Sequence, residues 1–351
     1  MPAPEPMNIS AFTSYDDLPV FKLVVEPLNQ VRRLIYEELT ARCPAIAGLN
    51  SFPCKRSKDV SRLLDTINGH NGKMIRPGLV LLSGLCCGKI TDEHIRVAAI
   101  IEMIHNATLF HDDVIDEGQI RRGLPTINSL WGNETAVLLG DLLLSRVFIM
   151  SAELEAPLAK VIATAAVRLC EGELRQAVQK KEWQLSESEY IEAITDKSAI
   201  LFSIACYLGG LLSRANQSQI RSLANFGLNA GIAFQITDDL LDIVGDESKT
   251  GKTLGSDIGT HKLTLSLIHL LRTVDKNEKN AIIRSYIEGK NVQHPKDDLI
   301  KILDRYGSLE YARTQTEKFV TYAKRALDGL EQNEARNALI ETVEFMAHRM
   351  M

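Results

Sequence analysis

Apolar side chains recur every three or four residues along nearly the whole chain from Val20 onward, a spacing typical of amphipathic α-helices. β-Branched residues follow the same spacing, so the alternation expected of strands is almost absent. We therefore predict an all-α, single-domain helical bundle over residues 19–351, after a flexible segment of residues 1–18. The first two apolar stripes comprise Leu23, Val24, Leu28, Val31, Ile35 and Leu39, and then Val60, Leu63, Leu64 and Ile67.

Charge and composition argue against several classes of function. The net charge is −5 and no basic tract compensates for it, so we expect no nucleic-acid partner. We expect no transmembrane helix, because the best candidate, residues 135–150, is interrupted by Asp141 and Arg146. The N-terminus also lacks the basic and apolar regions of a signal peptide. Six cysteines without Cys-x-x-Cys spacing favour reduced thiols in a cytoplasmic protein over a zinc site.

A cluster of three aspartates ends one of the apolar helical runs. Asp112, Asp113 and Asp116 occupy positions i, i+1 and i+4, so Asp112 and Asp116 project from the same helix face. Carboxylates this close repel one another unless a cation lies between them. Oxygen ligands of this kind suit Mg²⁺, which usually takes one or two carboxylates and completes its coordination with phosphate oxygens and water.

The same pattern recurs at Asp238, Asp239 and Asp242, again at the end of an apolar run. A solvated acidic helix end explains one such cluster, but it does not explain the recurrence. Two helices that each present three acids could hold Mg²⁺ ions around a shared diphosphate. Arg121 and Arg122, just beyond the first cluster, would supply further positive charge for a bound phosphate.

These motifs resemble those of the trans-isoprenyl diphosphate synthase family, in particular its long-chain polyprenyl diphosphate synthase branch. The resemblance runs in order from about Lys22 to the C-terminus. It implies a helical bundle of the isoprenoid synthase type with a central apolar tunnel. The matching segments are 111–116 with 121–126 (first aspartate-rich motif), 235–242 with Gly251-Lys252 (second aspartate-rich motif), and 72–77, Gly-Lys-Met-Ile-Arg-Pro (isopentenyl diphosphate motif).

The resemblance implies a metal site and two diphosphate sites. Three Mg²⁺ ions per active site would be bound by Asp112, Asp116 and Asp238, with help from Asp113, Asp239 and Asp242. The metal-free site for isopentenyl diphosphate would comprise Lys73, Arg76, His105 and Arg122. The site for the allylic diphosphate would comprise Arg121, Lys197, Ser198, Gln235, Lys252 and Lys262, of which Arg121, Lys197 and Lys252 would also assist catalysis.

Some of these residues also have a simpler interpretation. Without the resemblance, Lys73 and Arg76 are equally well explained as basic residues that flank a turn between helices. His105 on an apolar helix resembles a core histidine, although its seven-residue offset from Asp112 places it on nearly the same face. Ser198 replaces the family's usual threonine but keeps the hydroxyl, and the sequence after Lys262 lacks the prolines common in the family.

The implied reaction is the Mg²⁺-dependent condensation of isopentenyl diphosphate with an allylic prenyl diphosphate, farnesyl or geranylgeranyl, to give an all-trans product. A terpene cyclase has no use for a second diphosphate site, here Lys73, Arg76 and Arg122. A non-catalytic partner subunit of a heteromeric synthase can lose acids from one aspartate motif, but both motifs are intact here. We expect a homodimer that contacts a membrane only transiently, for product release.

The residues upstream of the first aspartate cluster bear on product length. Ala107 and Thr108 are small, where short-chain family members tend to place an aromatic ring. We predict that this helix extends back to about Glu93, some 19 residues or roughly 28 Å. We therefore expect a tunnel along it, past Ile104 and Ile101, and a product of about six to ten isoprene units suited to a quinone side chain. The alternatives are close helix packing at the two small residues and a shorter farnesyl or geranylgeranyl product. The predicted floor residues lie on the next helix and are Leu144, Phe148 and Met150.

Overall fold

The computed structural model describes residues 19–40, 72–121, 123–179, 185–245, 263–284 and 295–347. This part of the chain is helical except for connecting loops and one two-residue antiparallel hairpin. The segment 1–18 lies outside it, so the predicted boundary at residue 19 stays a prediction. The elements are a 3-10 helix Pro19–Val24, α1 Val25–Thr40, α2 Ile75–Cys87, α3 Asp92–Ile115, β1 Ile120–Arg121, β2 Leu124–Pro125, α4 Ile127–Trp131, α5 Asn133–Ala152, α6 Ala156–Gln179, α7 Glu187–Ile194, a π-helix Thr195–Ala199, α8 Ile200–Leu212, α9 Gln217–Val244, α10 Leu265–Thr273, α11 Lys276–Ile282, α12 Pro295–Arg305, α13 Ser308–Ala326 and α14 Glu334–Ala347.

The long helices pack in a continuous series. In order of packing they are α5, α3, α2, α8, α9 and α13. Glycines allow two of these pairs to approach closely. A Cβ atom at Gly209 of α8 would lie 2.2 Å from the Val80 carbonyl oxygen of α2, and one at Gly227 of α9 would lie 2.4 Å from the Phe202 carbonyl oxygen of α8. Since any larger residue at either position would clash with backbone, the helix spacing depends on glycine there.

The predicted apolar stripes are largely buried where the structure describes them. Leu28, Val31 and Ile35 of α1 lie in the core, as expected. The stripe starts later than predicted, because Leu23 belongs to the preceding 3-10 helix and is exposed. The second predicted stripe, residues 60–67, lies outside the described residues.

Helix α3 spans the molecule from a capped N-terminus to the first aspartate cluster. It begins at Asp92, one residue before the predicted start at Glu93. Thr91 is its N-cap and forms a capping box with His94. At 24 residues, α3 is about 36 Å long, at 1.5 Å per residue. Its C-terminal end therefore carries the first aspartate cluster, and its N-terminal end is fixed by a capping box.

By length and composition alone, two stretches of the described chain are apolar enough to cross a bilayer, which differs from the expectation from the sequence. Buried helices of globular proteins have the same properties. In Glu187–Leu212, 61% of the apolar window is buried inside the protein, against 33% in Asn133–Ala152, which is α5. The exposed large side chains of α5 include Leu138, Phe148 and Ile149.

Candidate active site

The three aspartates of the first cluster have different surroundings. Asp113 is buried, whereas Asp112 is half-buried and Asp116 is exposed. The Asp113 carboxylate accepts hydrogen bonds from Arg121, at 2.8 Å from Nε and 2.6 Å from Nη2. Asp113 therefore holds an arginine, while Asp112 and Asp116, one helical turn apart, keep exposed surface.

The chain reverses direction tightly after α3, which brings Arg121 back to Asp113. Glu117 adopts a left-handed conformation with φ of 52° at this reversal. The next residue, Gly118, is closely packed, since a Cβ atom there would lie 3.0 Å from Asp113 Oδ1. The Asn128 side-chain amide donates to the carbonyl oxygens of Asp113 and Gly118, each at 3.0 Å. The loop is thus fixed to the start of α4.

The second cluster, on α9, repeats this division of roles. Asp239 is buried and accepts hydrogen bonds from the Tyr190 hydroxyl at 2.7 Å and from the Gln235 amide at 2.9 Å. The Ser198 hydroxyl donates to Gln235 Oε1 at 2.6 Å, so Ser198 and Gln235 support Asp239. Asp238 and Asp242 are half-buried. In each cluster, then, the middle aspartate is buried and hydrogen-bonded to protein groups, and the first is less deeply buried.

Arg121 connects the two clusters electrostatically. Burial alone would lower the pKa of Arg121, but Asp113, Asp112 and Asp238 together raise that pKa above its usual value. Asp112 belongs to α3 and Asp238 to α9, so both clusters act on one guanidinium. The structure therefore brings the two aspartate motifs, 126 positions apart in sequence, around a common space.

Asp112 is in surroundings that disfavour its charge. Burial raises the pKa of Asp112 to about 7, the charges of Glu173 and Asp116 add to the rise, and Lys197 and Arg121 oppose it. An added cation would reverse this balance, since positive charge favours the ionised carboxylate. This is the electrostatic behaviour expected of a metal-binding carboxylate without its metal.

The donor set fits Mg²⁺ bound together with a diphosphate. Within the described residues, no three His, Cys, Asp or Glu side chains converge closely enough to enclose a metal ion by themselves. Mg²⁺ does not need such an enclosure, because it usually combines one or two carboxylates with substrate phosphates and water. Asp112, Asp116, Asp238 and Asp242 are the carboxylates with exposed surface that could supply these ligands.

The predicted basic residues are only partly described. Arg76 is buried with its guanidinium 4.3 Å from the centre of the Phe202 ring, and Lys73 is exposed with its ammonium 4.9 Å from the centre of the Phe345 ring. His105 is half-buried on α3. The remaining predicted cations, Arg122, Lys252 and Lys262, lie outside the described residues.

The predicted chain-length residues differ in exposure. Ala107 is fully buried in the core, so its side chain borders no open space, whereas Thr108 is half-buried. Phe148 is 66% exposed on the outer side of α5, and the single chain therefore does not place it at the floor of an internal tunnel. Leu144 is half-buried and Met150 is buried. The chain-length role of Phe148 stays a prediction, because the described residues belong to one chain and α5 is apolar on both its buried and its exposed side.

Several residues around the site carried no recognisable sequence signal. Glu173 and Gln176 of α6 both contact the Lys197 ammonium, and Tyr190 and Asn128 hold parts of the two aspartate clusters. Glu173 and Gln176 are three positions apart and so share a helix face. That spacing is common on any polar helix surface, so it did not distinguish these two residues.

Comparison with known proteins identifies the family. The family model for polyprenyl synthetases matches residues 57–303. The chain belongs to the polyprenyl synthetase family. A short chain isoprenyl diphosphate synthase from Methanothermobacter thermautotrophicus is 36% identical over 283 residues, which cover 79% of this chain and 86% of the relative. The octaprenyl diphosphate synthase of Escherichia coli is 33% identical over 317 residues, which cover 89% of this chain and 97% of the relative.

A solved structure supports the same assignment. The polyprenyl synthase of Caulobacter crescentus, complexed with calcium and isoprenyl diphosphate, is 28% identical, with a TM-score of 0.84 over 94% of this chain and 97% of that one. The predicted family and the predicted all-α isoprenoid synthase fold are thus confirmed. The chain is a prenyltransferase of a family that uses divalent metal ions. Its relatives include short-chain and long-chain enzymes, so their names do not determine its product length.

Proposed function

We propose that the protein condenses isopentenyl diphosphate with an allylic diphosphate, farnesyl or geranylgeranyl, in a Mg²⁺-dependent reaction that gives a long-chain all-trans polyprenyl diphosphate. The strongest support comes from the surroundings of Arg121. Asp112 and Asp113 of the first cluster and Asp238 of the second all raise the pKa of this arginine, so both aspartate clusters meet near it. A cation at this point suits the phosphate oxygens of a leaving group.

The reaction requires the C1–O bond of the allylic diphosphate to break with loss of pyrophosphate. The double bond of isopentenyl diphosphate then forms a new carbon–carbon bond to C1 of the allylic substrate. A proton leaves C2 of the isopentenyl unit and is taken up by the released pyrophosphate. Bound Mg²⁺ supplies positive charge that stabilises the departing pyrophosphate. Asp112, Asp116 and Asp238, with Asp242, would hold these ions, of which we propose three.

The protein's own cations complete the stabilisation of the leaving group. Arg121 is fixed in place by Asp113 before substrate arrives, so little reorganisation is needed as charge develops. Lys197 belongs to the same arrangement, because its charge acts on Asp112. We assign Lys252 and Lys262 to the allylic diphosphate as well. Lys73, Arg76, His105 and Arg122 are assigned to isopentenyl diphosphate.

The decisive assay measures pyrophosphate release from farnesyl and isopentenyl diphosphates with Mg²⁺, and sizes the products by chromatography. We expect release that stops when Mg²⁺ is chelated, and products of about six to ten isoprene units. Products of three or four units would favour a farnesyl or geranylgeranyl diphosphate synthase instead. No release with geranyl, farnesyl or geranylgeranyl primers would overturn the proposed activity and favour a non-catalytic subunit.

The half-buried position of Thr108 supports a path for the growing chain beneath Asp112. Thr108 lies one helical turn before Asp112 and therefore projects from the same face of α3. We expect Thr108→Phe to shorten the product while condensation continues. Ala107→Phe is the matched comparison, because a ring at that fully buried position overpacks the core and should reduce stability instead. Unchanged products from Thr108→Phe would place the path elsewhere.

We also propose that a second copy of the chain covers the exposed apolar side of α5 and α6. Leu138 and Phe148 of α5 and Leu174 and Val178 of α6 each expose 60% or more of their surface. Such a surface marks a protein interface or a membrane contact. Sedimentation of Leu138→Asp should show monomers where the unchanged protein shows dimers. If the unchanged protein sediments as a monomer but binds lipid vesicles, the surface contacts membrane instead.

The free, buried thiols of Cys86 and Cys206 suit the cytoplasm we propose as location.

A further inference from the structure

The carboxylate of Asp196 lies between two arginines of α6. Its Oδ1 atom accepts hydrogen bonds from Arg168 Nε, at 3.0 Å, and from Arg168 Nη2. Its Oδ2 atom faces the other arginine, with Arg175 Nη1 3.6 Å away. Only 15% of the Asp196 side chain is exposed. Because the two arginines are seven positions apart, or about two turns on one face of α6, together they fix where Asp196 lies along that helix.

Gly172 lies between the two arginines, on the same face of α6, and admits the backbone next to Asp196. A Cβ atom at Gly172 would lie 2.8 Å from the Lys197 backbone nitrogen and 3.1 Å from the Asp196 carbonyl carbon. The close approach of the two backbones therefore requires glycine. On the far side of Gly172, the Lys197 ammonium donates to Glu173 and Gln176 of α6, each at 2.9 Å. Helix α6 thus holds this backbone through polar contacts on both sides of a close approach.

The backbone that α6 holds is the π-helix Thr195–Ala199. Its hydrogen bond runs from the Ile200 amide to the Thr195 carbonyl oxygen, five positions earlier, whereas an α-helix pairs residues four apart. Single π turns within α-helices occur frequently at functional sites. Each residue of an α-helix turns the chain by about 100°, so relaxation of this turn to an α-helix would rotate its side chains relative to α8.

One of the side chains on the π-helix, Ser198, supports the second aspartate cluster. The Ser198 hydroxyl donates to Gln235 Oε1 at 2.6 Å, and the Gln235 amide donates to Asp239 Oδ1 at 2.9 Å. Ser198 and Asp239 are both buried. A continuous series of contacts therefore leads from Arg168 of α6, through Asp196 and the π turn, to an aspartate of α9.

We propose that Asp196 is a positioning residue, which holds the π turn against α6 and so fixes the places of Lys197 and Ser198. Both carboxylate oxygens of Asp196 are directed at α6, so Asp196 acts through its neighbours in the chain. The inference rests on the proposed function in one respect, the assignment of Lys197 and Ser198 to the allylic diphosphate. Loss of the Asp196 charge should therefore weaken the allylic site and spare the site for isopentenyl diphosphate.

The first measurement follows the π turn itself and does not depend on turnover. Hydrogen exchange of residues 195–200 is compared by mass spectrometry between the unchanged protein and Asp196→Asn. We expect roughly tenfold faster exchange in the variant, the size expected when one charged hydrogen bond is lost. Gly172→Ala should have the same effect, because its methyl group displaces the backbone of the π-helix.

The matched control for the exchange measurement is Glu192→Gln. Glu192 Oε2 lies 3.7 Å from the same Arg175 Nη1 atom, but Glu192 belongs to α7 and not to the π-helix. Exchange of residues 195–200 should therefore stay unchanged in this variant. A result in which Asp196→Asn exchanges no faster than Glu192→Gln would overturn the inference.

The second measurement is steady-state kinetics on the same variants. Asp196→Asn should raise KM for the allylic diphosphate by roughly three- to tenfold and leave KM for isopentenyl diphosphate unchanged. Asp196→Glu keeps the charge and should restore most of the allylic affinity. A residue that only stabilises the fold would lower Tm without this difference between substrates. The inference is also overturned if exchange rises while the two KM values change alike or not at all.

Failure of the proposed function is distinguishable from failure of this inference. If the unchanged protein shows no turnover with either allylic substrate, the proposed function fails. The exchange measurement then decides by itself whether Asp196 holds the π turn against α6.

Discussion

The two ends of α3 solve opposite problems. At the N-terminal end, the buried His94 side chain is neutral and hydrogen-bonded at both ring nitrogens, to Thr91 on one side and to Gly209 and Ser213 on the other. At the C-terminal end, burial raises the pKa of Asp112 to about 7, and the charges of Glu173 and Asp116 add to the rise. The first end is satisfied by hydrogen bonds within the protein. At the second, Lys197 and Arg121 only partly oppose the rise in the Asp112 pKa, so a further cation would favour the ionised carboxylate.

The two ends of α3 therefore separate residues that stabilise the fold from residues that serve the proposed reaction. Buried polar groups with complete hydrogen bonding stabilise a fold, whereas a cluster of like charges reduces stability unless a ligand compensates. Residues such as Asp112 are kept for chemistry, at a cost in stability. Substitutions at the two ends should therefore have different consequences, for activity at one end and for folding at the other.

The largest expected effect is on turnover at the C-terminal end. Asp112→Ala or Asp238→Ala should lower kcat on the order of 10²–10³-fold, the loss typical of removing one preorganised electrostatic partner. Far-ultraviolet circular dichroism should stay unchanged, because neither side chain is a core residue. His94→Gln, at the other end, should keep near-normal kcat. Near-normal turnover of either Ala variant at saturating Mg²⁺ would remove that aspartate from the metal site.

The next effect distinguishes the two diphosphate sites. Lys73→Ala and Arg76→Ala should raise KM for isopentenyl diphosphate by about one to two decades, since a charged hydrogen bond to phosphate contributes roughly 1.5–3 kcal/mol. Their effect on KM for the allylic substrate should be much smaller. Lys197→Ala should show the reverse, or a lower kcat. Steady-state kinetics on the three variants measures this, and equal effects on both substrates would contradict separate sites.

A smaller effect concerns stability within the first aspartate cluster itself. Burial raises the pKa of Asp112 to about 7, so the folded protein holds the Asp112 proton more tightly than the unfolded chain does. This contribution to stability is complete below the pKa of a free carboxyl and is lost as pH rises through 7. At pH 8 in EDTA, Asp112→Asn should therefore raise Tm by a few degrees. Asp113→Asn should lower it, because Arg121 would lose its buried partner. Differential scanning calorimetry would show the two shifts, and shifts of the same sign would contradict this division of roles.

The sequence predicted well those features that depend on local spacing. The apolar period located α3 to within one residue at its start, and the i, i+1, i+4 spacing identified both aspartate clusters. It did not predict that Asp113 pairs with Arg121 across the chain reversal after α3, because the left-handed Glu117 gives no clear signal in sequence. Glu173 was missed because its partner, Lys197, is 24 positions away and the contact depends on how α6 packs.

The sequence also did not predict which side chains of α5 are exposed. Leu138 and Phe148 are exposed, whereas Leu139 and Leu143 of the same helix are buried. When both faces of a helix are apolar, periodicity does not indicate which face meets the core. The sequence therefore did not indicate that Phe148 is exposed, and its side of α5 is part of the surface that we assign to a second copy of the chain.

The smallest expected effect lies at the satisfied end of α3. The Thr91 backbone amide donates to His94 Nδ1 at 3.1 Å, so the neutral ring carries its proton on Nε2, which lies 3.1 Å from the Gly209 carbonyl oxygen. Burial lowers the pKa of His94, and the Gly209 carbonyl only partly opposes this. A second proton would have to enter at Nδ1, where it would face the Thr91 amide hydrogen.

The sign of the resulting pH dependence follows directly. Above pH 6.5, His94 is neutral in both the folded and unfolded chains, so its contribution to stability is complete. As pH falls below 6.5, the unfolded chain binds a proton that the folded protein resists, and stability is lost towards the lowered folded pKa. In His94→Gln, glutamine keeps the capping box but does not titrate. Urea unfolding at pH 7.5 and 5.5 should show a smaller loss of stability on acidification in this variant than in the unchanged protein. Equal losses would mean that other groups cause the acid sensitivity, and that the N-terminal end of α3 tolerates charge as the aspartate end does.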